Sequence, residues 1–161
     1  MTEGYLLRAA EIAAMAGQEK THFLNDNARR LNRSLGDATG LTGLGVHLIE
    51  VEPGRETTEY HVHYHEDEAV YVLEGRATAT IGEEEVAIGP GDFVGYRAGG
   101  LAHAITNTDD GVLRLLVVGQ RLAHDVADYP RLDKRIYRQA GLGADVADIA
   151  ALTHPVVGAR K

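Results

Sequence analysis

Short apolar runs separated by turn-forming residues dominate the chain from Leu44 onward. Runs of about four to eight apolar or alternating residues between glycine, proline and aspartate are typical of strands in a sandwich or barrel. The predicted strands are Leu44–Val51, Glu59–His65, Ala69–Leu73, Ala77–Ile81, Glu85–Ile88, Asp92–Arg97, His103–Asn107 and Val112–Val118. Because about eight strands are enough to close a small barrel or jelly roll, the pattern predicts an all-β fold.

The segments on either side of these strands have different patterns. Apolar residues recur at helical spacing over Leu6–Ala14 and Gly17 follows as a stop signal, so a short N-terminal helix is predicted. Asparagine, aspartate, glycine and arginine dominate residues 25–45, which predicts a loop that wraps the core or reaches a neighbouring subunit. After Gly119 the chain is polar and basic, and we expect a tail packed outside the barrel with a helix around Ala144–Leu152.

The length of the chain is that of one domain. Its 161 residues with 44% hydrophobic content are enough to build one apolar core. We therefore expect a single domain over residues 1–161, with a barrel core at about 44–120. Residues 1–43 would form an N-terminal extension and residues 121–161 a C-terminal tail, each with a short helix.

The charge of the chain argues against two classes of partner. Acidic residues outnumber basic residues by 24 to 16, giving a formal net charge of −8. This charge opposes binding to a phosphate backbone or an anionic membrane, so no nucleic-acid and no membrane partner is expected. No uncharged apolar run approaches the ~20 residues of a spanning helix. The N-terminus lacks a basic signal-peptide region, and Arg8 and Glu11 interrupt its apolar stretch, so a cytoplasmic location is expected.

Histidine and acidic residues cluster at the second predicted strand. Side chains alternate along a strand, so His61, His63 and His65 would share one face. Neighbours on that face lie ~6.6 Å apart, close enough for two imidazoles to converge on one ion, and Glu68 follows with a carboxylate. The chain has no cysteine, so any metal would use imidazole and oxygen ligands. Taken alone, these residues also fit a solvated, charged strand end.

A second segment carries one more histidine. Residues 91–103 end a strand, turn through Gly99 and Gly100, and place His103 at the start of the next strand, with Asn107 four positions later. A single histidine in such a position is more often a hydrogen-bonded residue than a ligand. Together with the first segment it gains partners for a metal site.

The two segments together resemble the two motifs of the cupin family, over residues 54–107. The first motif is matched by His61-Val62-His63, then four residues, Glu68, six residues and Gly75. The second motif is matched by Gly100-Leu101-Ala102-His103 and Asn107. Gly54 lies one residue further upstream than the motif asks, and Arg97 stands in place of a proline before a loop one residue longer.

The resemblance implies a double-stranded β-helix, the cupin jelly-roll barrel, with one divalent metal ion per chain. It implies as ligands His61, His63, Glu68 and His103. Such a mixed set suits Fe, Mn, Ni, Zn or Cu and leaves coordination positions open for substrate oxygens. A metal-dependent enzyme acting on a small oxygenated organic molecule is expected, with oxygenase, isomerase and decarboxylase chemistry all open. A non-catalytic cupin that binds a sugar or small organic acid stays the alternative.

Three further residues are weighed for the site. His65 shares the predicted ligand face, but a solvated rim position is favoured for it. His47 is interpreted as an ordinary buried histidine rather than a pocket residue. Arg114 would anchor a carboxylate only if it faced inward, and outward exposure is at least as compatible with the sequence.

The expected partners are a small-molecule ligand or substrate and a second copy of the chain. An open barrel has strand edges that need covering, and the N-terminal extension is long enough to add a strand to a partner. The sequence therefore predicts a homodimer.

Overall fold

Antiparallel β-structure makes up most of the computed structural model, which describes residues 4–158. The helices are α1 (Ala9–Ala14) and α2 (Leu35–Ala38), with 3₁₀ turns at Pro130–Leu132 and Ile149–Ala151. The strands are β1 (Gln18–His22), β2 (Asn25–Ser34), β3 (Leu44–Val51), β4 (Val62–His63), β5 (Glu68–Glu74), β6 (Ala77–Ile81), β7 (Glu84–Ile88), β8 (Phe93–Tyr96), β9 (His103–Asn107), β10 (Leu113–Gln120), β11 (His124–Tyr129), β12 (Lys134–Gln139) and β13 (Gly143–Asp148). Among these residues no helix is long and apolar enough to cross a membrane.

The strands form three sheets. The largest has the order β1-β2-β3-β10-β5-β8, and the other two have the orders β13-β12-β11-β4 and β7-β6-β9. His61, just before β4, exchanges two backbone hydrogen bonds of 3.0 and 2.8 Å with His103 of β9, and so links the two smaller sheets. The predicted all-β jelly-roll fold is confirmed.

A buried apolar core lies between the six-stranded sheet and the three-stranded sheet. Alternate residues of the strands point into it, as the two-residue period of a strand requires. The core residues are Ile49, Val51, Val70, Val72, Ala77, Ala79, Ile88, Tyr96, Ile105, Leu113 and Leu115. Some of them, including Ile49, Val70 and Leu115, also line a cavity in the barrel, so the core supports the wall of that cavity.

Most predicted strands in the barrel are confirmed. Strands β3, β6 and β9 have the predicted bounds, and β5, β7, β8 and β10 agree within one or two residues at each end. The exception is the predicted strand Glu59–His65, of which only Val62–His63 is regular. This segment pairs with β9 at His61 and then with β11 at Val62 and His63, so it changes partner within a few residues.

The prediction of a loop over residues 25–45 is wrong. The segment forms β2, the ten-residue strand Asn25–Ser34, followed by α2. Strand β2 pairs with β1 on one side and β3 on the other. Its inner face carries Arg30 and Asn32, which line a cavity rather than the apolar core, so the strand lacks the apolar alternation on which the prediction depended.

The predictions for the C-terminal tail are also wrong. A strand, β13, occupies most of the segment predicted as a helix, and a 3₁₀ turn over Ile149–Ala151 replaces the rest. Strands β11, β12 and β13 continue the wall of the molecule from β4, so they are part of a sheet rather than a tail packed outside it. The predicted N-terminal helix is confirmed over Ala9–Ala14, while residues 1–3 and 159–161 of the predicted domain lie outside the described residues.

Candidate metal centre

The histidine and glutamate side chains of the two sequence segments meet on the cavity wall. His61 and His63 come from the segment around β4, Glu68 is the first residue of β5, and His103 is the first residue of β9. The backbone bridge between His61 and His103 holds their two rings 4.6 Å apart. Three different sheets therefore contribute to one cluster.

The donor atoms are close enough to share one ion. Single ligand atoms of His61, His63 and Glu68 all lie within 4.8 Å of one another. Nε2 of His103 lies 3.8 Å from Oε1 of Glu68. Among the described residues, this buried Nε2 has no hydrogen-bond partner, and a buried nitrogen without a partner is costly unless something else binds it. The four residues therefore fit a metal ion of the kind that imidazole and carboxylate ligands hold.

Each imidazole of the cluster is oriented through its other nitrogen. Nδ1 of His61 lies 2.8 Å from the carbonyl oxygen of Glu59, and Nδ1 of His103 lies 3.3 Å from the carbonyl oxygen of Leu101. Nδ1 of His63 lies 2.5 Å from a carboxylate oxygen, described below. An oxygen acceptor at Nδ1 places the proton there and leaves Nε2 as the nitrogen with a free lone pair.

The environment favours the protonation states that bind metal. Burial, followed by the nearby His103, lowers the pKa of His61 to about 3, so its imidazole is neutral. Burial alone would raise the pKa of Glu68, but the approach of His103 and the other two imidazoles outweighs it, and the pKa of Glu68 is lowered. A neutral imidazole beside an ionised carboxylate is the state in which both are ligands.

Two buried carboxylates behind the cluster were missed by the sequence analysis. Oδ2 of Asp125 contacts His63, and its Oδ1 accepts a hydrogen bond of 3.1 Å from the backbone nitrogen of His65. Glu66 accepts a hydrogen bond of 2.6 Å from the backbone of Leu122 and forms an ion pair with Arg138. Asp125 and Glu66, with His63, form a second group of possible metal ligands, but both carboxylates already have the protein partners just described. Only the pairing of β4 with β11 brings Asp125 here, and no sequence motif signals that pairing.

Tyr96 packs against the cluster. Its ring stacks on that of His103 with centroids 3.5 Å apart and an interplanar angle of 4°. Burial raises the pKa of Tyr96, and among the described residues its buried hydroxyl has no hydrogen-bond partner. Tyr96 therefore supports the ring of His103, and it lines the cavity while its hydroxyl stays buried and neutral, whereas Phe93 is 67% exposed on the outside.

The cluster opens into a cavity of about 410 Å³ inside the barrel. His47 lines this cavity, with Nδ1 3.3 Å from Nδ2 of Asn32, so its interpretation as an ordinary buried histidine is wrong. His65 is exposed and its ring lies against His124, away from the cluster, as the sequence favoured. Arg114 faces outward, where it forms ion pairs with two glutamates.

Comparisons with known proteins agree with this architecture. The family model described as a cupin domain matches residues 47–119. A solved structure from Acidithiobacillus ferrooxidans ATCC 23270, provisionally described as a sugar phosphate isomerase, is 49% identical with a TM-score of 0.93, over 97% of this chain and 99% of that chain. A sugar phosphate isomerase of the cupin superfamily from Silicibacter pomeroyi DSS-3 is 31% identical with a TM-score of 0.74, over 85% of this chain and 89% of that chain. A comparison with curated proteins found no match.

Proposed function

The chain belongs to the cupin superfamily, and from this premise we propose that it is a metal-dependent isomerase of a small, sugar-like substrate. The main support for this proposal is a cluster of four side chains on the wall of a cavity that is large enough for such a molecule: His61, His63, Glu68 and His103. The two similar solved structures, both described as sugar phosphate isomerases, support isomerase chemistry over the oxygenase and decarboxylase alternatives.

The proposed ligands leave room for substrate oxygens beside them. A divalent ion of the Fe, Mn, Ni, Zn or Cu class, when bound there, supplies Lewis-acid polarisation of a carbonyl and its neighbouring hydroxyl. Such polarisation would make the hydrogen on the adjacent carbon more acidic, and an aldose and a ketose interconvert when a base takes that proton and returns it to the neighbouring carbon. The chain itself has to hold the substrate in that position and to donate hydrogen bonds to its oxygens.

Two neutral histidines that line the same cavity, His22 and His47, suit that role. Burial lowers the pKa of both His22 and His47, and neighbouring cations lower it further. Nδ1 of His22 accepts a hydrogen bond of 3.2 Å from the backbone of Leu24, and Nδ1 of His47 faces the amide of Asn32. Each ring is therefore left with Nε2–H as a donor, and a neutral imidazole can hydrogen-bond a substrate oxygen without a full positive charge.

The test is turnover by protein loaded with a single metal. Protein reconstituted with Mn²⁺, Fe²⁺, Co²⁺ or Zn²⁺ would be incubated with a panel of aldoses, ketoses and their phosphates in D₂O. We expect interconversion of one aldose–ketose pair, detected by NMR together with deuterium at the carbon that exchanges its proton. Metal content measured on the same samples should follow activity.

Matched histidine variants make this test specific. His61→Ala or His103→Ala should lower metal content and activity by about a hundredfold or more, since a lost ligand costs at least as much as a lost supporting contact. His65→Ala, in the same segment but outside the cluster, should change neither. Equal losses in all three variants would contradict the ligand assignment. A compound that binds regardless of Glu68→Gln and is never converted would establish the binding-protein alternative.

A further inference from the structure

Two cations face each other across the strand pair that closes one side of the cavity. Lys20 of β1 lies directly opposite Arg30 of β2 in the antiparallel register. Both side chains line the cavity, together with His22 and Asn32 from the same two strands. Like charges directly opposite each other on one face of a sheet are destabilising, so this arrangement costs folding free energy.

Neither cation forms an ion pair with a carboxylate of the described residues. Within residues 4–158, no carboxylate lies within 4.0 Å of Lys20 or Arg30. The contact that Arg30 makes is a hydrogen bond from Nη1 to the carbonyl oxygen of Thr57. Other arginines at the cavity are paired, Arg121 with Asp37 and Arg138 with Glu66.

Two neighbouring positive charges without a carboxylate partner can bind an anion. We propose that Lys20 and Arg30 bind the phosphate group of a phosphorylated substrate, with the rest of the molecule extending towards His61, His63, Glu68 and His103; this inference rests on the proposed function. The planar guanidinium of Arg30 can donate two parallel hydrogen bonds to phosphate, and the ammonium of Lys20 adds a point charge. A bound dianion removes the repulsion between the two cations, and the relief of this repulsion makes the binding free energy more favourable.

Both groups line the same cavity, so one molecule can reach both. On the sheet, β2 is separated from β5 by β3 and β10, which is ~14 Å across the strands at ~4.8 Å per step, and the register displaces Glu68 further along the strands. Both side chains extend into the cavity and shorten that gap. They are close enough for the charge of Glu68 to oppose the lowering of the Arg30 pKa that burial causes. His22 and His47 lie beside the cations as neutral donors for the same ligand.

The experiment is calorimetric titration of the metal-loaded full chain with inorganic phosphate at low ionic strength. Lys20→Gln and Arg30→Gln each remove one charge but keep a polar group, and each should weaken phosphate binding by roughly ten- to a hundredfold. Arg29→Gln is the matched control, because Arg29 is the neighbouring residue of β2, exposed on the opposite face. Its phosphate affinity should equal that of the unmodified chain. Urea unfolding of Lys20→Gln without phosphate should show no loss of stability, since the change relieves a repulsion, whereas Arg30→Gln also loses the hydrogen bond to Thr57 and should be less stable than Lys20→Gln.

The outcomes separate this inference from the proposed function. Phosphate affinity that is unchanged in Lys20→Gln and Arg30→Gln but lost in His61→Ala would place the phosphate on the metal and overturn the inference. Acetate bound as tightly as phosphate, with the same dependence on Lys20 and Arg30, would make this a carboxylate site and overturn it as well. Phosphate binding that depends on both cations would support the inference even if no aldose–ketose pair were converted, which would reject the proposed function alone.

Discussion

His63 is held by a carboxylate that lies 62 positions later in the chain. The motif around His63 can be read from sequence because its residues are near one another there, whereas Asp125 is brought in by the pairing of β11 with β4. Its carboxylate is buried, and it contacts both the ring of His63 and the backbone of His65. Asp125 therefore fixes the ring orientation and the tautomer of a proposed ligand.

Asp125→Asn should weaken metal binding without removing a ligand. Asparagine keeps the size of the side chain but loses the negative charge that polarises His63, so we expect metal affinity to fall by roughly ten- to a hundredfold. Competition titration against a chromophoric chelator measures this change. Asp110→Asn in an exposed loop removes the same charge far from the cluster and serves as the control. Equal affinity in the two variants would argue against a role for Asp125.

Tyr96 and His47 show a different limit of sequence reasoning. An aromatic residue or a histidine in a predicted strand is compatible with core packing and with a cavity wall, and the sequence pattern does not separate the two. Tyr96 belongs to both, because it is part of the core cluster and also lines the cavity. His47 shares its predicted strand face with Ile49 and Val51, which favours ordinary burial, and Asn32, its polar partner, lies on a strand that the sequence predicts as a loop.

Among the elements, strands were predictable where one face is apolar. Strands β6 and β9 pack alternate residues into the core, and their predicted bounds agree with the structure. Strand β2 was missed because its inner face lines a polar cavity, and β13 was missed because its strand conformation depends on pairing with β12. Both errors arose where tertiary pairing outweighs local pattern. The same polar inner face of β2 supplies one of the two cations proposed for phosphate binding.

Deletion of the residues before Leu41 should destabilise the protein itself. It removes β1 and β2, leaves the edge of β3 unpaired and opens the cavity, so we expect a loss of cooperative thermal unfolding. Circular dichroism during heating measures the effect. Deletion of the residues before Gln18 is the control, because it removes α1, which has no buried residue, and it should leave the melting temperature nearly unchanged. Similar unfolding of the two truncated chains would contradict this role for β1 and β2.

For the whole molecule, the homodimer stays a prediction. The residues expected to add a strand to a partner instead pair within the same chain, as β2 beside β3. The outer face of β5 and β8 is a better candidate for association, because Tyr71 and Phe93 lie opposite each other there and are 42% and 67% exposed.

Light scattering at low micromolar concentration should therefore report a dimer, and Phe93→Lys should shift it towards monomer by placing a charge in an apolar contact. Leu142→Lys, at a site that is 77% exposed on the β12–β13 connection, is the control and should leave the dimer intact. A monomer in the unmodified chain would refute the dimer, and an intact dimer in Phe93→Lys would place the interface elsewhere.

Metal removal should lower the stability of the whole barrel, because the proposed ligands come from all three sheets. His61 and His63 belong to the segment around β4, Glu68 to β5 and His103 to β9, so one ion would connect sheets that otherwise meet through the core and a few isolated backbone bridges. A ligand present at a hundred times its dissociation constant stabilises the folded state by about 2.7 kcal/mol. For a chain of this size that corresponds to a rise of roughly 5–10 °C in melting temperature, which chelation should reverse. Calorimetry with and without chelator measures the shift, and Glu68→Gln, which loses the anionic ligand, should show a much smaller one. If the melting temperature of the unmodified chain were the same with and without metal, the four residues would not bind an ion together.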